Sequence, residues 1–253
     1  MAIIAIANSK GGSGKTATVF NLGSQLARRG HKVLLWDMDP QASLSACFKV
    51  EFPQTQVYCE DILATDKIDP NQAPVEIGTN LFVIPATEGL AGLEGQLRHT
   101  EKDLFRLKRS IERLKHLKFD YILFDPPGST DIFMAAVLIA ADQVLIPARP
   151  TDNDFTALIG FRSTVEKAKE LNHELVVKGI LFNQVILSSK NEAIYRSFFA
   201  GDPWEKLICK TAIRMATAVA NAPGTGKDVI AFEPKSKVAE DYKSLAVEVE
   251  SWN

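Results

Sequence analysis

Six continuous apolar runs of strand length punctuate the chain, at residues 3–7, 33–36, 81–85, 119–125, 143–147 and 176–182. Runs with little alternation fit strands covered on both faces, as in a parallel sheet. Between them the apolar residues recur at helical spacing. Val19, Leu22, Leu26 and Ala27 make one stripe, and Leu104, Leu107, Ile111, Leu114 and Leu117 a second. Phe155, Leu158, Arg162, Val165, Ala168 and Leu171 mark a long amphipathic helix, residues 132–141 an apolar one, and Val238, Tyr242, Leu245, Ala246 and Val249 a last one. Residues 43–80 are poorly periodic and broken by Pro53, Pro70 and Pro74, which predicts short helices and loops. Alternating strands and helices over the whole length predict a single α/β domain, residues 1–253, with a doubly wound, mostly parallel sheet flanked by helices. No internal repeat or low-complexity linker interrupts it.

Composition narrows the picture only modestly. A chain of 253 residues with 46% hydrophobic content can bury a large core, and a net charge of −2 gives no overall field toward nucleic acid or membrane. Any such contact must come from a local patch. Two are visible. The face of the second helical stripe that is expected to meet water carries Arg98, Lys102, Arg106, Lys108, Arg109, Arg113, Lys115 and Lys118 against few acids. The last fifth carries Lys206, Lys210, Arg214, Lys227, Lys235 and Lys237. Each patch reads either as a solvated face or as a site for phosphate backbone. Cys47, Cys59 and Cys209 are scattered without metal or disulfide spacing. With no leader-like N-terminus and no run of about 20 apolar residues, the expectation is a cytoplasmic protein with no membrane partner.

Candidate chemistry is concentrated where the first apolar run meets the first helix, at Asn8-Ser9-Lys10-Gly11-Gly12-Ser13-Gly14-Lys15-Thr16, followed by Ala17. Strand, glycine-rich turn and helix in that order are the context of a phosphate-binding loop. Backbone N–H groups from Lys10 to Ala17 would converge on a polyphosphate, helped by the positive end of the helix. Lys15 would reach the β- and γ-phosphates, and the Thr16 hydroxyl would ligate Mg²⁺. Two further strands end in carboxylates. Asp37 and Asp39 close the run 33–36 within Asp37-Met38-Asp39-Pro40-Gln41, and Asp125 closes the run 119–125. Strand C-termini form the ligand rim of open α/β sheets, so these acids would face the phosphates, Asp125 holding Mg²⁺. For Asp37 and Asp39 a plain strand-end cap is the competing reading. Pro126-Pro127-Gly128 follows at once, and Gly128 could let a backbone N–H approach a γ-phosphate. Gly224-Thr225-Gly226-Lys227 imitates a second loop, but no buried strand precedes it and Asp228 stands where a hydroxyl is needed.

Ser9 replaces the first glycine of the general motif, and Lys10 opens the loop instead. The resulting K-G-G-x-G-K-T, with D-x-D-P-Q, the strand-to-Asp125 turn and Asn183 at the end of the run 176–182, resembles the ParA/MinD family of deviant Walker A ATPases over nearly the full chain. It looks most like the small ParA/Soj partition proteins. The resemblance implies a P-loop NTPase fold, ATP and Mg²⁺ as cofactors, and hydrolysis to ADP and phosphate that is slow until a ParB-like or other adaptor stimulates it. It also implies that Lys10 reaches across an ATP-bound homodimer to the other subunit's nucleotide, that Asp39 positions the attacking water, and that Asp37 helps hold the metal's water shell. Asn183 would touch the adenine edge, although a turn-forming role is as natural. The region holding Arg214, Lys235 and Lys237 would lie near a surface for non-specific DNA, placing the ATP-bound form on the nucleoid. A cargo such as a plasmid or a chromosome origin follows from the resemblance. One residue is missing between Asp125 and the proline pair relative to the family's pattern. The chain begins too close to its first strand for an operator-binding helix-turn-helix.

Rival members of the same family predict other features. A membrane-bound MinD-like protein would end in a basic amphipathic helix, whereas residues 239–253 are acidic. An iron–sulfur carrier would need clustered cysteines, and a tyrosine kinase a tyrosine-rich tail. A nucleotide-switched protein scaffold that does not act through DNA stays open.

Overall fold

The computed structural model describes residues 1–97, 100–129, 132–186 and 191–252. Each apolar run becomes a strand within two residues of its expected bounds: β1 (Ala2–Ile6), β2 (Val33–Asp37), β4 (Leu81–Ile84), β5 (Tyr121–Asp125), β6 (Gln143–Ala148) and β7 (Val176–Phe182). The seventh strand, β3 (Val75–Gly78), falls in the stretch expected to hold only short helices and loops. The order across the sheet is β3-β4-β2-β5-β1-β6-β7, and every neighbouring pair is parallel except β3 with β4. The chain leaves β1 toward one side of the sheet and later crosses to β6 on the other. The crevice at the C-terminal end of β1 is therefore the switch point where such sheets bind ligands.

The helices are α1 (Lys15–Arg28), α2 (Ser43–Ala46), α3 (Cys59–Ala64), α4 (Gly89–Glu94), α5 (Glu101–Leu104), α6 (Arg106–Leu114), α7 (Ile132–Ala140), α8 (Asp152–Lys169), α9 (Asn191–Ser197), α10 (Thr217–Asn221), α11 (Val229–Phe232) and α12 (Lys237–Glu250). Side chains alternate across each strand, so the sheet feeds two cores. Ile4, Ile6, Leu35 and Leu123 pack with Val19, Leu22 and Leu26 of α1 and with Tyr242 and Leu245 of α12. Ile3, Ala5, Leu34, Trp36 and Phe124 pack with Leu107 and Ile111 of α6, Phe133 and Val137 of α7, and Leu158 and Phe161 of α8. Burying each such side chain contributes about 1.5–3 kcal/mol, which is what holds the helices to the sheet. The outer edge of β7 is partly covered by a bridge from Ile180 to Ile208, and a second bridge from Val185 to Arg214 follows just past its end.

The second helical stripe departs from expectation. It breaks at Phe105 into α5 and α6, because Thr100 and Asp103 form a capping box that starts a short helix of its own. Its basic face is also largely neutralised. Arg106 is buried and donates to the Leu63 carbonyl, while Arg109 and Arg113 pair with Asp66 and Asp69. Arg98 lies outside the described residues. Gly224 to Lys227 form no phosphate loop: residues 222–225 make a 3-10 turn, and Asp228 caps α11 while pairing with Arg28.

Candidate functional site

The loop between β1 and α1 is tied down from beneath. Asn8 is buried, donates from Nδ2 to the Pro147 carbonyl at 2.8 Å, and accepts the Lys10 N–H at 3.0 Å. Gly14 precedes α1 at φ 93°, a left-handed conformation, with no side-chain cap and no acid in the first turn. The N–H groups of that turn are left for an anion. A Cβ on Gly14 would stand 2.2 Å from Asn183 Nδ2, so glycine is required for space as well as for φ. Above this turn opens a cavity of about 420 Å³. Gly11, Gly12, Gly14, Lys15, Thr16 and Ala17 wall it on the loop side, with Asp39, Ser43, Gly128 and Gln184 contributed by neighbouring segments.

Lys15 is only 8% exposed, and burial pulls its ammonium below the ordinary lysine range while Asp125 and Asp39 draw it back. A cation so held is stabilised by an incoming polyphosphate. Gly128 crowds the same spot. A Cβ there would lie 3.3 Å from both Gly11 and Lys15 Nζ, so the turn after β5 rests on the loop.

The carboxylates divide by environment. Asp37 and Asp125 are in register on β2 and β5, both buried. Asp37 Oδ2 accepts from Ser45 N at 2.8 Å and Ser45 Oγ at 2.7 Å, and Oδ1 accepts from Asp39 N at 3.1 Å. Burial nonetheless pushes it up to about 6. Asp125 is 1% exposed, and among the described residues its carboxylate has no full hydrogen-bond partner, only the Thr16 hydroxyl lying beside it. Burial, then the charge of Asp37, raise its carboxyl well above the usual range, with Thr16 and Lys15 drawing it partly back. An orphaned buried carboxylate beside a threonine hydroxyl is a hard-oxygen donor set short of a cation. Mg²⁺ fits it, since that ion takes one or two carboxylates and completes its shell with phosphate and water. Asp39, by contrast, faces the cavity, with Oδ1 accepting from Gln41 N at 2.9 Å.

Other candidate residues are placed away from the cavity wall. Lys10 is half-buried, does not line the cavity, and its Nζ has no hydrogen-bond or ion-pair partner among the described residues. Asn183 is 3% exposed; its amide donates to Ser13 O at 3.2 Å and accepts from Gln184 N at 2.8 Å. These bonds tie it to the loop on one side and to the following residue on the other. Arg214 is clamped by Asp241 through Nε and Nη2, each at 2.6 Å, so its charge is already matched. Lys235 and Lys237 are exposed.

Several contributors carried no readable signal. Ser45 anchors Asp37 and also accepts the Ala86 N–H at 3.0 Å. Gln184, at φ 54°, donates to the Gly12 carbonyl at 3.0 Å. Both reach the site only because separate strand ends meet there.

A family model described as an AAA domain matches residues 1–177. The chain is 36% identical over 248 residues to the sporulation initiation inhibitor protein Soj of Bacillus subtilis, covering 98% of this chain and 97% of that protein. It is 30% identical to the chromosome partitioning protein ParA of Caulobacter vibrioides, over 98% and 93% of the two chains. The chain belongs to the ParA/Soj family of ATPases. Among solved structures, cobyrinic acid a,c-diamide synthase from Mycobacterium smegmatis with bound ATP analog and magnesium superposes on this ParA-type chain with a TM-score of 0.84. It is 25% identical and covers 100% of this chain and 96% of that one.

Proposed function

We propose that this ParA-family chain is an ATP- and Mg²⁺-dependent switch of oligomeric state that positions a cargo by binding DNA non-specifically. Residues 1–253 act as one ATPase domain in this reading. Lys15 and the N–H groups from Gly11 to Ala17 hold the phosphates, and Thr16 and Asp125 hold the metal, with Asp37 supporting them from behind. Bound Mg²⁺ supplies neutralisation of the charge that develops on the transferring phosphoryl group. Asp39 orients the attacking water, and Asn183 keeps the loop in its binding form.

The observation that carries the reading is the division of labour between the two loop lysines. Lys15 lines the cavity, while Lys10 does not and holds an amine with no partner among the described residues. A cation built into a phosphate loop yet unused by its own cavity is suited to a second copy's nucleotide. ATP then joins two subunits, and hydrolysis, slow until an adaptor of the ParB kind engages, parts them. Sedimentation with a non-hydrolysable ATP analogue tests this: wild type dimerises and Lys10→Ala stays monomeric while still binding nucleotide. An intact mutant dimer refutes the trans role.

A second reading, a nucleotide-switched protein scaffold, is favoured by the apolar side chains Ile159, Ile194 and Phe198, which are 58%, 48% and 54% exposed. A DNA shift with ATP, ADP and no nucleotide decides between them. Binding that ignores the nucleotide, or no binding, favours the scaffold.

A further inference from the structure

Arg149 is a charged side chain at the phosphate loop to which nothing above gives a role. It directly follows β6, the strand beside β1, so the order of the sheet sets it next to the loop. Fully buried Asp154 accepts from Arg149 Nε at 3.1 and 3.2 Å, from Nη2 at 2.9 Å and from the backbone N–H at 3.3 Å. Thr151 Oγ1 adds a fourth donor group at 2.9 Å. Two of the three guanidinium nitrogens are thus committed, and the plane of the group is held in one orientation.

The third nitrogen is not committed. Nη1 has no hydrogen-bond partner among the described residues, and it stands 4.0 Å from the point where a side chain would begin on Gly12. Arg149 does not line the cavity that Lys15 serves. It shares that property with Lys10. Two cations therefore lie at the loop, outside the cavity of their own subunit, and each has an unused donor.

We propose that Arg149 makes a second trans contact: in the ATP-joined pair its free Nη1 edge meets the triphosphate held by the other copy, beside the amine of Lys10. This rests on the sandwich reading given under Proposed function. The chemistry suits the task, because a guanidinium whose far edge is clamped keeps a planar N–H edge for phosphate oxygens and loses little freedom when it binds. Two polyphosphates brought face to face repel, and fixed cations at the junction are what make their approach favourable.

The competing role is purely structural, with Arg149 only stapling the turn between β6 and α8. A staple acts in the monomer, whereas a trans contact acts only when two copies close. Arg149→Met and Arg149→Lys in the full chain separate these roles. Three quantities are read: dimer dissociation with a non-hydrolysable ATP analogue and Mg²⁺, monomer affinity for ADP, and the melting temperature without nucleotide. Arg149→Met should weaken the dimer by about tenfold or more, the factor that one charged hydrogen bond carries. ADP affinity should be unchanged, and Arg149→Lys should recover part of the dimer. A dimer unaffected by Arg149→Met, or a loss matched by an equal loss of ADP affinity, overturns the contact and leaves the sandwich standing. A wild-type chain that stays monomeric with the analogue sinks both.

Discussion

Asp125 is the residue whose state says most about the site. Its carboxyl is buried with little beyond the Thr16 hydroxyl beside it among the described residues, so the nucleotide-free fold carries a group that costs stability when ionised, on the order of 1–3 kcal/mol. Its folded pKa is raised, so the folded chain binds that proton more tightly than the unfolded one. Stability is then highest below the unfolded value, about 3.9, and is lost as pH rises through the folded value. Asp125→Asn should therefore melt a few degrees above wild type near pH 8, with the gap closing toward pH 4, and should lose the gain in ATP affinity that Mg²⁺ brings. Thermal denaturation across pH and nucleotide titration with and without Mg²⁺ check both halves. Gly14→Ala makes the opposite point. Its Cβ would strike Asn183 Nδ2, and its φ of 93° strains any side chain, so nucleotide binding should fall by more than an order of magnitude while the sheet stays folded by circular dichroism.

Among elements, α2 shows how a four-residue helix can be fixed by one side chain. Ser45 gives Asp37 two donors and accepts the Ala86 N–H, linking β2, α2 and the end of β4. Ser45→Ala leaves that N–H and one carboxylate position unserved, and should cost about 2–3 kcal/mol in chemical denaturation. None of this could be read from residues 43–80, because a short helix gives no period and its partner lies 41 positions away. The same limit hid β3, whose Val75-Glu76-Ile77-Gly78 is too short to establish an alternation and is half-covered at the sheet's edge. The six long apolar runs were legible since burial on both faces leaves nothing polar to confuse them. So were α1, α8 and α12, whose stripes repeat for several turns. The Thr100–Asp103 capping box that splits α5 from α6 was also written in the sequence, beneath a leucine stripe that ran across it. In the site, the loop was legible as one contiguous stretch, and Gly11, Gly12, Gly14, Lys15, Thr16 and Ala17 of it line the cavity. Ser45, Arg149 and Gln184 were not legible, because they arrive from separate strand ends.

Across the described residues most arginines are paired with acids while most lysines are not, and this sharpens the DNA reading. Arg214 is matched by Asp241, whereas Lys235 and Lys237 stand exposed near the start of α12. In the ATP state, the double change of Lys235 and Lys237 to alanine should weaken binding to any duplex and lower the salt slope by about one for each phosphate no longer neutralised. Arg214→Ala should mainly lower the melting temperature. Electrophoretic shifts at several salt concentrations, beside melting curves, separate the two.

The three thiols give this chain a practical property. Cys47 and Cys209 are pushed up to about 12, Cys59 is raised well above the ordinary range, and all three are buried. At neutral pH they stay protonated and shielded, so a maleimide should pass over the native molecule. A lone cysteine introduced at exposed Ile159 would then carry a fluorophore on an otherwise silent background, and the comings and goings of a partner could be watched without first stripping the chain of its own sulfur.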